Sequence, residues 1–291
     1  MFPLELVRLT GLMDRSSGGP EVKIGLIDGP VMTQHADLQA GHLREITASK
    51  GATCTQAHST ACMHGTFIAG ILAARRESPA PAICPGCTLL IRPIFGEATA
   101  GREHMPSATP LELAAAIMEC MDAGARVINL SLALAQPSTN GEQALEAALD
   151  QALRRGVLIV AAAGNQGTLG STAITRHPWV VPVMACDLEG RPMSESNMGA
   201  SIGRRGLRAP GDGVTSLGAQ GQALTLGGTS VAVPFVTGAI ALLWSEFPGA
   251  NAAQIKLAIT QAHAPRRPSV VPPLLNAAAA HQILLAANTR S

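Results

Sequence analysis

Short apolar runs alternate along the chain with longer segments in which apolar residues recur every three to four positions. The short runs have the length and the β-branched content of buried strands, whereas the wider spacing is typical of helices. The pattern predicts strands over residues 22–27, 89–94, 127–130, 157–161 and 179–184. It predicts helices over residues 65–74, 111–123, 142–154, 229–247, 252–262 and 274–287.

Strands separated by single helices indicate a parallel sheet covered by helices on both faces, which is an α/β fold. A polar, Gly-rich stretch runs from residue 185 to about Gly228, and the pattern assigns no strand or helix within it. No repeat and no shift in composition marks an internal boundary. We therefore expect a single domain over residues 20–291, preceded by a loosely attached N-terminal extension of residues 1–19.

Composition and charge exclude several classes of function. Apolar residues fill 47% of the 291 positions but aromatic residues only 2%, so the core must be aliphatic and rich in alanine. Basic and acidic residues nearly balance, 21 against 20, and no dense Lys/Arg tract occurs, so we expect no nucleic-acid partner. No signal peptide and no uninterrupted membrane-length apolar run is visible. We expect a cytoplasmic protein without membrane contact.

Three polar residues lie where the predicted elements begin or end. Asp28 follows a buried strand, His64 opens a predicted helix, and Ser230 begins the most apolar helix of the chain. A serine hydroxyl becomes a nucleophile when an imidazole takes its proton and a carboxylate orients that imidazole. The chain order Asp, His, Ser is that of subtilisin-type triads. These residues are therefore the candidate catalytic triad.

Asn165 is the candidate oxyanion donor. It follows a buried strand in the segment 161–167, and a side-chain amide at such a position can donate to the oxyanion of a tetrahedral intermediate. Taken singly, each of these residues has a simpler interpretation as a cap or turn residue. Together and in this order they favour catalysis.

Four segments, residues 26–29, 64–70, 161–167 and 228–234, resemble the signature blocks of the subtilase family. The resemblance covers about residues 20–285 and implies a subtilisin-like three-layer fold with a mostly parallel seven-stranded sheet. It implies a serine endopeptidase that acts through an acyl-enzyme and needs no cofactor. It also implies that a peptide substrate binds along the following residues: Ser131, Leu132, Ala133, Ala163 and Gly164.

A narrower resemblance points to the proteases that mature cyanobactin-type peptides. It rests on Asp28-Gly29-Pro30, on residues 83–87 leading to 91–95, and on residues 209–211. It implies removal of a leader from a ribosomally made precursor peptide, without an inhibitory propeptide. Two alternatives stay open, a general intracellular protease and a non-catalytic peptide-binding module.

The chain also departs from the family pattern. The family commonly has Thr or Ser between the catalytic Asp and the Gly, and this chain does not. The loop 75–81 lacks Asn/Asp ligands for calcium, so we expect no required metal. Ala133 and Leu134 stand where the family often has a Gly pair. Their side chains should narrow the first specificity pocket and favour a small residue before the cleaved bond.

The six cysteines leave three interpretations open. Free thiols are expected in a reducing cytoplasm. Cys54, Cys62, Cys84 and Cys87 together with His58 also have the look of a zinc site, although the spacing is irregular. A disulfide among these four could tie the loop before the catalytic histidine to the next strand. The other two lie in apolar segments and are expected in the core: Cys120 and Cys186.

Overall fold

The computed structural model describes residues 2–38, 40–46, 54–97, 108–132, 141–262 and 269–289. Its helices are α1 (Pro3–Leu6), α2 (Thr10–Met13), α3 (Thr60–Ala73), α4 (Pro110–Asp122), α5 (Glu142–Arg155), α6 (Ala173–Arg176), α7 (Ala200–Arg205), α8 (Thr229–Glu246), α9 (Ala252–Gln261) and α10 (Ala277–Asn288). Its strands are β1 (Lys23–Asp28), β2 (Leu43–Glu45), β3 (Thr88–Pro93), β4 (Val127–Leu130), β5 (Leu158–Ala162), β6 (Val180–Cys186), β7 (Leu207–Pro210), β8 (Val214–Leu217) and β9 (Ala223–Leu226).

Strands β1 to β7 form one parallel sheet in the order β2-β3-β1-β4-β5-β6-β7. The helices cover it, with α3 and α8 packed together and α4 packed on α5. This is the three-layer α/β fold with a seven-stranded sheet that the resemblance implies. The apolar pattern predicts β1, β3, β4, β5 and β6. The Gly-rich stretch after residue 184, to which the pattern assigns no element, contains β7 and the antiparallel β8–β9 pair.

Helix α8 fills the centre of the core. Every residue from 231 to 244 is buried. Among the residues that the structure describes, α8 is the one helix long and apolar enough to cross a membrane, but 83% of it is buried inside the protein. It therefore has the burial of a core helix. Cys120 and Cys186 are core thiols as predicted, and burial raises the pKa of each to about 12.

The N-terminal extension packs on the domain, so the prediction of a loosely attached tail is wrong. Val7 is 0% and Leu12 3% exposed, and α2 packs against α8 and α10. The Arg76 guanidinium donates to the carbonyl oxygens of Met13 at 2.6 Å and of Ser16 at 2.7 Å. Apolar burial and these hydrogen bonds together attach the segment. A domain boundary near residue 20 stays a prediction.

Three neighbouring strands bring their carboxyl ends to one edge of the sheet. Strand β1 ends at Asp28, β4 at Leu130 and β5 at Ala162, and β4 pairs with both of the others. Because functional groups of open parallel sheets collect just beyond such ends, this edge is where a site is expected. Ser131 follows β4 directly on this side, and Asn165 follows β5 after two residues.

Candidate active site

Asp28, the last residue of β1, is fully buried. Its Oδ1 accepts hydrogen bonds from the backbone N–H of Gly29 at 2.6 Å and from Nδ1 of His64 at 2.7 Å. Its Oδ2 is buried and has no hydrogen-bond partner among the residues described. A side chain at position 29 could not supply one, because a Cβ there would overlap the carbonyl oxygen of Ala61. The carboxylate is therefore held through one oxygen.

His64 lies in the second turn of α3, so the prediction that it opens the helix is wrong. The helix begins at Thr60, and Ser59 caps it by accepting from the backbone N–H of Cys62. Burial disfavours the charged imidazole, but the charge of Asp28 and its hydrogen bond outweigh this, and the pKa of His64 is raised. Because a carboxylate only accepts, Nδ1 carries the proton and Nε2 keeps a lone pair for a second proton.

Ser230 is the second residue of α8, at the helix start that the sequence predicts, and it is partly exposed. Gly228 precedes the helix with φ of 120°, a backbone conformation that favours glycine. The first-turn N–H groups of a helix lack intrahelical partners and lie at the positive end of its dipole. Here the Thr229 N–H donates to Asn165 Oδ1 and the Val231 N–H to the Gly228 carbonyl, so the Ser230 N–H is the candidate donor to an anion that develops beside the Ser230 hydroxyl.

A chain of buried side chains leads from the interior of α8 to the backbone of Ser230. Thr237 Oγ1 donates to Asn129 Oδ1, Asn129 Nδ2 donates to Ser131 Oγ, and Ser131 Oγ donates to the Ser230 carbonyl, each at 2.8 Å. The three side chains are at most 2% exposed. Sequence reasoning missed Asn129 and Thr237. A polar Asn inside an apolar strand was the available signal, since buried amides are almost always hydrogen-bonded.

Asn165 is oriented by the residue that begins α8. Its Oδ1 accepts from the backbone N–H and from Oγ1 of Thr229, both at 2.8 Å. A Cβ added to Gly228 would come within 3.1 Å of Asn165 Nδ2, so the amide nitrogen lies beside the start of the helix. The amide thus presents donors next to Ser230. Thr229, which is 1% exposed, is a further residue that sequence reasoning missed.

The predicted substrate-binding residues at the end of β4 are described only in part. Ser131 and Leu132 are buried directly after the strand, 2% and 7% exposed. Ala133 and Leu134 lie outside the described residues, so the predicted narrow pocket stays a prediction. The side chain of Ser131 is engaged with Ser230, which leaves its backbone as the group that could pair with a substrate.

Ala163 and Gly164, the other predicted binding residues, follow β5 and are backed by Asn197. The Asn197 side chain donates to the Ala163 carbonyl at 3.2 Å, and its backbone N–H donates to the Gly164 carbonyl at 2.9 Å. Its Oδ1 accepts from the backbone N–H groups of Gln166 and Thr168. Asn197 therefore fixes both sides of the loop that carries the candidate oxyanion donor. Contact of Ala163 and Gly164 with substrate stays a prediction.

Cys54 and Cys62 form a disulfide with a Cα–Cα distance of 5.5 Å. The expectation of free thiols is wrong for this pair, and a disulfide among the four cysteines is the alternative that holds. It ties the preceding loop to the first turn of α3 and not to the next strand. Cys84 and Cys87 are buried free thiols. Within the described residues they do not join Cys54 and Cys62, so the four-cysteine zinc site is not assembled.

The hydrogen-bonded Asp–His pair, a serine at a helix start and an oriented amide donor at one sheet edge are features of serine hydrolases that form acyl-enzymes. A sequence profile of the Subtilase family matches residues 19–279. The chain therefore belongs to the subtilase family of serine proteases.

Known members of the family align over most of this chain. Subtilisin DY of Bacillus licheniformis is 28% identical over 261 residues, which are 88% of each protein. Subtilisin E of Bacillus subtilis (strain 168) is 28% identical over 260 residues, 88% of this chain and 64% of the longer relative. The solved protease domain of PatA superposes with a TM-score of 0.83 at 29% identity, over 93% of this chain and 97% of that one. The prenylagaramide maturation protease PagA gives 0.81 at 27% identity, over 95% and 98%.

Proposed function

We propose that the protein is a serine endopeptidase in which Asp28, His64 and Ser230 form the catalytic triad and Asn165 donates to the oxyanion. The observation that carries this proposal is the 2.7 Å hydrogen bond between His64 Nδ1 and Asp28 Oδ1 at the buried end of β1. That bond selects the imidazole tautomer whose Nε2 can accept the serine proton. Membership of the subtilase family supports peptide bonds as the target.

In the acylation step, Ser230 Oγ attacks the scissile carbonyl while His64 Nε2 takes its proton. The charge of Asp28 stabilises the imidazolium, and the oxyanion accepts from Asn165 Nδ2 and from the backbone N–H of Ser230. The imidazolium then protonates the leaving amine, and a water molecule repeats the sequence to release the acid. An amide donor of this kind lowers the barrier by about 2.7–4 kcal/mol in subtilisin, and we expect a similar value here.

For the substrate, we propose a ribosomally made precursor peptide from which the enzyme removes the leader. Support comes from the full-length structural likeness to PagA and to the patellamide maturation protease PatA, the latter 30% identical over 92% of this chain. The segment Asp28-Gly29-Pro30 also resembles that type of protease. The subtilisins, 28% identical, favour a general protease as the second candidate. Under either function the partner is a peptide, and a cytoplasmic location stays a prediction.

A fluorophosphonate probe tests the nucleophile. We expect the intact protein to be labelled and the label to be lost in Ser230→Ala, because only an activated serine reacts rapidly. Ser269→Ala is the control: it removes an exposed serine that is not part of the candidate site, and the variant should be labelled like the parent protein. A correctly folded parent protein that is not labelled would refute the catalytic proposal and favour a peptide-binding module.

Substrate class needs a separate comparison. A precursor peptide with its leader, the same peptide with a scrambled leader, and casein should be digested side by side, with products identified by mass spectrometry. We expect one cut at the leader boundary of the first peptide and slow turnover of the others. Similar rates on all three would leave the triad in place and reject the maturation function in favour of a general protease.

A further inference from the structure

Two sulfur atoms and one carboxylate form a compact cluster next to the start of α3. The Sγ atoms of Cys54 and Cys62 and a carboxylate oxygen of Glu97 lie within 4.8 Å of one another. Cys54 is 6% and Cys62 0% exposed, and the two sulfurs are joined as a disulfide. The peptidase mechanism uses none of these three groups. Peptidase activity therefore does not explain why a carboxylate lies beside a buried pair of sulfurs.

Hydrogen bonds hold the Glu97 carboxylate at this cluster. It accepts from the backbone N–H of Thr55 at 2.8 Å, from that of Gln56 at 2.7 Å and from the Thr55 hydroxyl. A carboxylate has about four lone-pair sites, so these three bonds leave capacity for one more partner. The carboxylate is thus held in place beside the two sulfurs.

The helix favours thiolate at one of the two sulfurs. Cys62 is the third residue of α3, and its backbone N–H is capped by Ser59 Oγ at 3.1 Å. A thiolate at a helix N-terminus is stabilised by the helix dipole. Thiolate is the form that both attacks disulfides and binds metals. Reduction of the disulfide would therefore leave a reactive, metal-binding sulfur pair.

We propose that Cys54 and Cys62, once reduced, bind a thiophilic divalent cation such as Zn²⁺ together with Glu97, and that the disulfide is the closed form of this site. The reductant is a dithiol: it is oxidised to its own disulfide while the Cys54–Cys62 bond takes up two electrons and two protons. Cation binding then releases both thiol protons. The structure holds the disulfide form, in which the two sulfurs bond to each other and not to a cation.

The dimensions of the cluster suit such a cation. Zn–S bonds of about 2.3 Å and a Zn–O bond of about 2.1 Å in tetrahedral geometry require sulfurs about 3.8 Å apart and oxygens about 3.6 Å from each sulfur. Separated thiolates reach the first distance by relaxing after the bond breaks. The Glu97 carboxylate oxygen, which lies within 4.8 Å of both sulfurs, has to move about 1 Å closer to them. A change of the Glu97 rotamer supplies that movement. A fourth position stays open to water.

Titration with Co²⁺, a coloured substitute for Zn²⁺, tests the site. The Ser230→Ala protein avoids self-digestion and makes the result independent of peptidase activity. It should be reduced, freed of reductant under anaerobic conditions, and titrated before Zn²⁺ is added. We expect one equivalent bound with a thiolate-to-cobalt charge-transfer band, displaced by Zn²⁺, and none bound by the oxidised protein. No such band in fully reduced protein would overturn the proposal.

Matched variants assign the ligands. The double change Cys54→Ser, Cys62→Ser should abolish the band, whereas Cys84→Ser, Cys87→Ser removes the other buried thiol pair and should keep it. Glu97→Gln should weaken binding by at least about tenfold, the loss that even outer-shell partners cause. Unchanged affinity in either the first or the last variant would overturn the three-ligand site.

Alkylation rates test the site without changing a ligand, so this test does not depend on the folding of a cysteine variant. In the reduced Ser230→Ala protein with all cysteines present, Zn²⁺ should slow carboxymethylation of Cys54 and Cys62 and leave the rates at Cys84 and Cys87 unchanged. Mass spectrometry of the digested protein reads all four positions together. Equal rates with and without Zn²⁺ would exclude the site by a measurement that needs no substitution.

Discussion

Replacing Thr237 by valine tests whether the buried polar chain positions the nucleophile. Valine keeps the branched shape of threonine, so α8 remains packed, but Asn129 Oδ1 loses the hydroxyl that donates to it at 2.8 Å. Asn129 is 0% exposed, so water does not replace the donor. The change therefore removes one hydrogen bond from the chain that ends at the Ser230 carbonyl.

Two effects of different size follow. An unsatisfied buried acceptor costs about 1–3 kcal/mol of unfolding free energy. Unfolding a chain of 291 residues has an entropy of about 0.6 kcal/mol/K, so the melting temperature should fall by about 2–5 °C. An Asn129 side chain that has lost this partner also holds Ser131 less firmly, and Ser131 in turn holds the Ser230 carbonyl. If the transition state loses the net value of one hydrogen bond, about 0.5–1.5 kcal/mol, kcat falls by about two- to twelvefold.

The two effects need two assays. Urea unfolding in the Ser230→Ala background gives the stability without self-digestion, and steady-state kinetics on a peptide substrate give kcat and KM. KM should change little, because Thr237 lies inside α8 away from the substrate. Thr237→Ser keeps the hydroxyl and should restore kcat. If Thr237→Val lowered stability but left kcat intact, these hydrogen-bonded side chains would serve stability alone and would not position the nucleophile.

The remaining predictions concern the base, the oxyanion and the N-terminal segment. Because the pKa of His64 is raised from 6.5, the neutral base is lost as pH falls through a value above 6.5, and kcat/KM should fall there. Asp28→Asn removes the charge that stabilises the imidazolium, so the acid limb of the pH–rate profile should move to lower pH. The rate should drop about 10⁴-fold. Asn165→Ala should lower kcat about 10²- to 10³-fold with KM nearly unchanged. Arg76→Met should speed hydrogen exchange in residues 2–16 and not within α3, since the Met13 and Ser16 carbonyls lose their donor.

Each of these predictions has a result that would contradict it, and the Arg76 variant also has a control. A pH–rate profile whose acid limb does not move in Asp28→Asn would mean that the carboxylate does not set the His64 pKa. For Asn165, a rise in KM at constant kcat would indicate substrate binding and no oxyanion role. For Arg76, lysine is the control, since it keeps the charge but cannot donate to both carbonyls in the same way. Exchange that spread evenly over the protein would refute local attachment.

The candidate catalytic residues could be located from sequence because each lies at a boundary that local patterns reveal. Asp28 ends an apolar strand, Asn165 follows another, and Ser230 begins the most apolar helix. The parallel topology then brings the carboxyl ends of neighbouring strands together without any further information. The motif around His64 identifies this residue, but the apolar spacing predicts a helix that begins too late, because Ser59 caps α3 about one turn earlier.

The supporting contacts could not be predicted because they join residues that are far apart in the chain. Thr237 and Asn129 are 108 positions apart, and Thr229 and Asn165 are 64 apart. Neither pair leaves a periodic signal, since each member is a single polar residue in an apolar or Gly-rich stretch. The same limit applies to β2, whose residues Leu43–Glu45 contain no apolar run and gain strand pairing only from the edge of β3.

Arg76 has a role that the sequence pattern of its loop does not reveal. The loop 75–81 lacks carboxylate ligands, from which the sequence predicts no required metal. In the fold, the Arg76 guanidinium reaches backbone carbonyls of the N-terminal segment, and the Arg75 N–H donates to the Asp37 carbonyl at 2.8 Å. Clusters of carbonyl oxygens are also what calcium binds. Here a cation that is part of the chain bonds them. A chelator cannot remove that cation, so attachment of the N-terminal segment should persist in EDTA and weaken when the arginine is substituted.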